Sequence, residues 1–227
     1  MGNEVSLALE DIRAGPAAVH ARLRSGGASA NKRMLFPEDV GPLPKGCKCT
    51  PLGFAILSWN IELLDTLLAL GADHRKPVGL PLCSDFTPLQ LAVALGFAAG
   101  VRHLLAAGAD ANAPLQLKRG TTTAPTPTSQ PSHQPARSRH PHQHPQGAPP
   151  AEPNAGSDQL LLPDCLACAR PGDAPLHIAI DCAAAAAFGA ASLPASGGGC
   201  RMEVFEALLG HPATDLNRPN ARGRTPL

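Results

Sequence analysis

The chain has 227 residues, with 19 Lys and Arg against 18 Asp and Glu, so its net charge is +1. This balance excludes a strongly basic nucleic-acid binder and an acidic tail protein. Only 3% of residues are aromatic while 44% are hydrophobic, so a core must be built mostly from Leu, Ala, Ile and Val. The 25 Pro and 22 Gly are a high share for a compact domain. No apolar run is long enough for a membrane span, and the N-terminal stretch has acids where a secretory signal would be basic. The seven Cys are an odd, sparse set, which argues against a disulfide framework and for a reducing, intracellular setting, cytoplasmic or nuclear.

In chain order, the first candidate helices lie between Ser6, a candidate N-cap, and a closing turn at Gly27-Ala28-Ser29-Ala30-Asn31, with Arg13-Ala14-Gly15 between them. Thr50-Pro51-Leu52 opens the next unit and Thr87-Pro88-Leu89 the one after. Thr is a good N-cap, and Pro beside it sits in the first turn, where its missing N–H costs nothing. Leu52, Ala55 and Ile56 share one helical face, as do Leu89, Ala92 and Val93. Second helices follow, with Leu64, Leu67 and Leu68 and with Val101, Leu104 and Leu105. Gly71 and Gly108 end them at positions that favour a left-handed backbone. The spans Thr50–Gly71 and Thr87–Gly108 are equal in length, which marks an internal repeat.

Residues 118–153 contain no Val, Ile, Leu, Met, Phe, Trp or Cys and are rich in Pro. Such a segment cannot bury enough apolar surface to offset its chain entropy and is expected to be disordered, with some polyproline character. Ala174-Pro175-Leu176 then opens a fourth unit, interrupted by a low-complexity stretch at 184–200. Thr225-Pro226-Leu227 repeats the opening tripeptide at the end of the chain, which reads as a truncated fifth unit.

The segments TPLGFAILSWNIELLDTLLALGAD and TPLQLAVALGFAAGVRHLLAAGADAN resemble ankyrin repeats. APLHIAIDC with VFEALLGHPATDLN resembles a split copy, and SLALEDIRAGPAAVHARLRSGGASAN a degenerate first one. The resemblance implies an all-α ankyrin-repeat solenoid of stacked helix–turn–helix units with β-hairpin fingers, interrupted by a long disordered insertion. Repeats 1–3 would occupy 4–113 (about 6–31, 50–75 and 87–112), the insertion 114–160, the split repeat 161–224 and the truncated start 225–227. Against a period of about 33 residues, the interval from Thr87 to Ala174 is too long by about 54, which places the insertion on a finger. The pattern departs from the family where Gly53 and Gln90 replace the His that follows Thr-Pro-Leu, present only as His177. Trp59 also replaces the Gly that closes the first helix.

The family's use of its concave surface implies a non-enzymatic adaptor that binds a protein partner, with no cofactor. The candidate contact residues are Lys32, Arg33, His74, Arg75, Asp85 and Phe86 on the fingers. Leu57, Ser58, Trp59 and Asn60 on a first helix and its turn come next. The alternative is an N-terminal regulatory ankyrin segment of a larger enzyme or channel. The 118–153 segment could dock on a polyproline-reading partner or be an inert spacer.

Other motifs carry weaker chemistry. Cys165 and Cys168 have the spacing of half a zinc site, whose other half would be Cys47 with Cys49 or Cys182 with His177; two ordinary thiols are the simpler reading. His140, His142 and His144 could hold a transition metal but sit in low-complexity sequence. Gly2 fits the start of a myristoylation pattern, Met1 to Ser6, without a second anchoring signal. Arg218, Arg222 and Arg224 form a basic end that an acidic partner could use. No catalytic constellation is present in the sequence.

Overall fold

A computed structural model describes residues 6–37, 39, 43, 45–80, 84–117, 169–187 and 201–226. They belong to the compact unit formed by residues 1–118 and 160–227. The described chain is mostly helical. Its helices come in pairs: α1 (Leu9–Arg13) with α2 (Pro16–Arg24), α3 (Pro51–Leu57) with α4 (Ile61–Ala69), α5 (Pro88–Leu95) with α6 (Ala98–Ala106), and α7 (Pro175–Ala187) with α8 (Arg201–Leu209). The first helices α3, α5 and α7 touch in that order, and so do the second helices α2, α4, α6 and α8. Each pair therefore covers the apolar face of its neighbour. Leu52, Ile56, Leu64, Leu67, Leu89, Val101 and Leu104 are all fully or almost fully buried between them.

The helix boundaries follow local chemistry. Thr50 and Thr87 cap α3 and α5, their Oγ1 atoms accepting the N–H groups of Gly53 and Gln90. Asn60 caps α4 through its Oδ1, which accepts the Leu63 N–H at 2.9 Å. Gly71 and Gly108 take left-handed φ angles of +81° and +87° just past α4 and α6. In the first unit the left-handed residue is Gly26, not Gly27. Ser6 does not cap a helix either. It forms a bridge to Ser29, and α1 begins two residues after Leu7, with Asp11 accepting the Ala8 N–H.

Two short antiparallel pairs connect the units. β1 (Met34–Leu35) pairs with β2 (Lys48–Cys49) within one connection. β3 (Ser84–Asp85) pairs with β4 (Gln116–Leu117) between two successive connections. The sequence reading assigned 114–117 to the insertion; the structure instead uses Gln116 and Leu117 as a strand, because their backbone completes the β3 ladder. The chain returns close to where it leaves: Leu115 N–H donates to Asp173 O, and Gly172 N–H to Leu115 O, both at 2.8 Å. The described residues on the two sides of 118–168 thus lie next to each other, which is compatible with an insertion. Residues 118–168 and 188–200 are outside the described residues. The low-complexity stretch expected from 184 begins later, since α7 remains helical to Ala187.

The two departures from the Thr-Pro-Leu-His pattern, Gly53 and Gln90, have one explanation. The N–H of the residue that caps each first helix needs an acceptor. In the fourth unit His177 provides it: Ala174 N–H donates to His177 Nδ1, and His177 Nε2 donates to Arg224 O. In the third unit Gln90 does the same work. Its Oε1 accepts the Thr87 N–H at 2.9 Å and its Nε2 donates to Ala113 O at 2.8 Å. In the second unit Gly53 leaves room for the following connection to enter, and Thr50 N–H donates directly to Val78 O. A Cβ on Gly53 would lie 2.9 Å from the Val78 Cβ, so the missing side chain and the close backbone belong together.

Candidate functional site

The helix pairs put two distinct edges at opposite ends of the helices. One holds the hairpins and the closing turns that follow the second helices. The other holds the turns inside each pair. The candidate residues divide between them.

On the hairpin edge, the closing turns are joined laterally by side chains. Asn31 donates its Nδ2 to Gly71 O and accepts the Asp73 N–H on its Oδ1, at 3.4 and 2.6 Å. Asn112 repeats this arrangement with the next closing turn, donating to Ala213 O and accepting the Asp215 N–H at 2.5 and 2.8 Å. Between them, His74 Nε2 donates to Gly108 O at 3.1 Å. These bonds hold turns from successive units in one continuous row. Neither Asn was singled out from the sequence. The signal was there: Asn31 and Asn112 stand four residues after Gly27 and Gly108.

A groove of about 580 Å³ opens beside this row. His74, Arg75 and Pro77 form one wall, Ala113, Pro114 and Gln116 the other, with Asp85, Thr87 and Asp110 between them. Four candidates thus fall at or beside one feature. Arg75 is exposed, and its guanidinium makes no ion pair with any described residue. Asp85 is half-buried on the groove. Lys32 and Arg33 lie one connection earlier, both exposed, with the Arg33 side chain laid across Gly79. Phe86 is a correction: only 2% exposed, it is a core side chain beneath the groove and presents nothing to a partner.

The charge of this edge is uneven. Among the described residues its connections carry Lys32, Arg33, Lys45, Lys48, Arg75, Lys76, Arg170, Arg218, Arg222 and Arg224 against Asp39, Asp73, Asp85, Asp110, Asp173 and Asp215. Most of these carboxylates are engaged in their own turns. Asp39, Asp73, Asp110 and Asp215 accept the N–H groups of Lys45, Arg75, Asn112 and Asn217. Asp173 accepts from Arg170 N–H and from Asn220 Nδ2. Asp85 is left as a carboxylate with no hydrogen bond among the described residues. On the helices, by contrast, arginines meet carboxylates, Arg22 with Asp11 at 3.9 Å and Arg102 with Glu203 at 3.7 Å, and His103 Nδ1 lies 2.5 Å from Asp65 Oδ1.

The second group of candidates lies on the opposite edge, so the structure does not bring the two groups together. Leu57 is also a correction, at 6% exposure a core residue. Ser58 is exposed, but its Oγ donates back to Phe54 O at 2.9 Å. Asn60 is occupied as a helix cap. Trp59 is 37% exposed, tilts against Phe97 with ring centroids 5.1 Å apart, and has φ +55°. It is the only non-glycine residue with a left-handed backbone among the described residues. The matching position in the third unit is Gly96, φ +78°.

The chemistry of the thiols is that of a core. Cys49 is fully buried, and burial, with Cys47 nearby, pushes its thiol up to about 12. Burial and the negative charge of Asp39 raise Cys47 as well. Among the described residues no group of three His, Cys, Asp or Glu is placed to hold a metal. Cys165, Cys168, the histidines at 140, 142 and 144, Gly2 and the 118–153 segment lie outside the described residues. No helix among the described residues is long and apolar enough to cross a membrane.

Residues 84–114 match the family model of the ankyrin repeat. The matched stretch contains β3, α5, α6 and the closing turn with Asn112, so one complete helix pair and part of the groove lining fall on it. No curated protein matches the chain. The match suggests a protein-interaction module, of a kind that is typically not catalytic.

Proposed function

We propose that the chain is a non-enzymatic adaptor, an ankyrin-repeat solenoid of four units that binds an intracellular protein partner along its hairpin edge. The repeat at 84–114 is the anchor of this reading. The second unit repeats its Thr cap and left-handed glycine at Thr50 and Gly71, and lateral Asn bonds join the first closing turn to the second and the third to the fourth. The observation that carries the function is the groove between successive connections. It is walled by residues whose backbone is fixed by the row of turns, so binding would cost little ordering of the surface itself.

The mechanism is recognition by a preformed surface. Lys32, Arg33, Arg75 and Asp85 would touch the partner, while Phe86 and Leu57 belong to the core. The test is affinity capture from a cell extract with the wild-type chain and with Ala113→Trp, which fills the groove from its rim. A partner retained by the wild type and lost by the variant is the expected result. A partner set unchanged by filling the groove would refute this placement of the binding surface.

A further inference from the structure

Arg75 occupies a position that the neighbouring units use for structure. It stands four residues after Gly71, as Asn31 and Asn112 stand after Gly27 and Gly108. In those turns the Asn both donates to the next turn and accepts an N–H from it. Arginine has five donors and no acceptor, so it cannot close the second bond. His74 keeps the donor half through Gly108 O, while no side chain among the described residues accepts the Asp110 N–H. Among the described residues a lateral bond present on both sides is therefore missing here, and the guanidinium of a groove-lining residue has no ion pair.

We propose that Arg75 is a recognition residue that pairs with a carboxylate of an acidic peptide segment lying in this groove. The inference rests on the protein-binding reading above and names the chemistry of the partner. A guanidinium presents a planar fork that matches a carboxylate in two parallel hydrogen bonds. Lys76 and Arg33, which make no ion pair among the described residues, add positive charge on the same edge, where the described carboxylates other than Asp85 have an oxygen committed to a backbone N–H of their own turn. Asp85 then selects between polymers. Its oxygens can accept N–H groups from an extended peptide, whereas a phosphodiester backbone has no donor to offer. Nor does the groove offer aromatic faces for bases to stack on, since Phe36 and Phe86 are buried.

The test uses the full chain and three fluorescent probes: a peptide alternating glutamate with leucine, the same peptide with glutamine for glutamate, and a single-stranded oligothymidylate. The expected result is binding of the glutamate peptide that weakens with salt and exceeds that of the glutamine peptide by about tenfold or more, the scale of one charge-assisted pair. Arg75→Asn and Arg75→Gln should each remove most of that preference. Arg75→Asn should at the same time leave the fold at least as stable as wild type, because Asn can accept the Asp110 N–H. Equal binding of the two peptides, with both lost in Ala113→Trp, would overturn the acidic preference and leave the groove as a protein-binding surface. Tighter binding of the oligothymidylate, binding of no probe, or full retention of the preference in both Arg75 variants would also overturn the proposal.

Discussion

Gln90 is 0% exposed and makes two bonds that no neighbour can replace, so its replacement should be costly and chemically selective. Gln90→Ala leaves the Thr87 N–H and the Ala113 carbonyl without partners in a partly buried site. Each orphaned group costs about 1–3 kcal/mol, so the loss should total about 2–4 kcal/mol after local relaxation. Gln90→His should cost less than about 1 kcal/mol. The reason is visible in the fourth unit, where His177 accepts a cap N–H on Nδ1 and donates from Nε2 to the following connection. Urea unfolding, followed by helical circular dichroism and by the fluorescence of the single Trp59, measures both variants. Equal losses for Ala and His would refute the argument that Gln90 and His177 are equivalent bridges. No loss in Gln90→Ala would show that the two bonds do not hold the third unit to its connection.

Three further predictions test other links. Asn112→Ala removes the two lateral bonds to the fourth unit and should cost about 1–2 kcal/mol, with faster amide hydrogen exchange in α8 than in α4; uniform exchange would contradict a local role. Trp59→Ala keeps a side chain at a left-handed position, whereas Trp59→Gly relieves it. The glycine variant should therefore be more stable than the alanine variant by about 1–2 kcal/mol in thermal unfolding, and equal stabilities would show that φ +55° carries no strain. The Cys49 thiol ionises near 9.0 when unfolded, and burial, with Cys47 beside it, pushes it up to about 12 in the fold. Its raised folded value favours the neutral thiol, so its contribution is intact below about pH 9 and is lost as pH rises toward 12, by up to about 1.4 kcal/mol per unit. Cys49→Ala should flatten that alkaline decline, and an unchanged slope would exclude the thiol as its source.

The units that could be read from sequence are those whose caps and apolar spacing agree. Thr50, Thr87, Gly71 and Gly108 each mark a boundary by local chemistry, and the helices begin and end beside them. The first unit was less legible: Ser6 looks like a cap, but the chain there is held by a bridge to Ser29, a contact set by tertiary structure. The surface was legible as a region but not residue by residue. Phe86 sits in polar, turn-like sequence and Leu57 at the last position of a short helix, and nothing local reveals that neighbouring units cover them. The lateral Asn bonds escaped because their partners lie in other units, although their spacing from Gly27 and Gly108 is regular. Substitutions such as Gln90 and Gly53 look like losses of pattern. They become intelligible once the fate of each cap N–H is known.

The central claim is that the hairpin edge, and not the opposite edge, receives the partner. Site-specific photocrosslinking from the groove at Gln116 and from the inter-helix edge at Ala99 tests it in cell extract, since both side chains are exposed and lie at opposite ends of their helix pair. The account predicts a discrete protein adduct from Gln116, competed by the unlabelled chain, and none from Ala99. An adduct from Ala99 without one from Gln116 would contradict it.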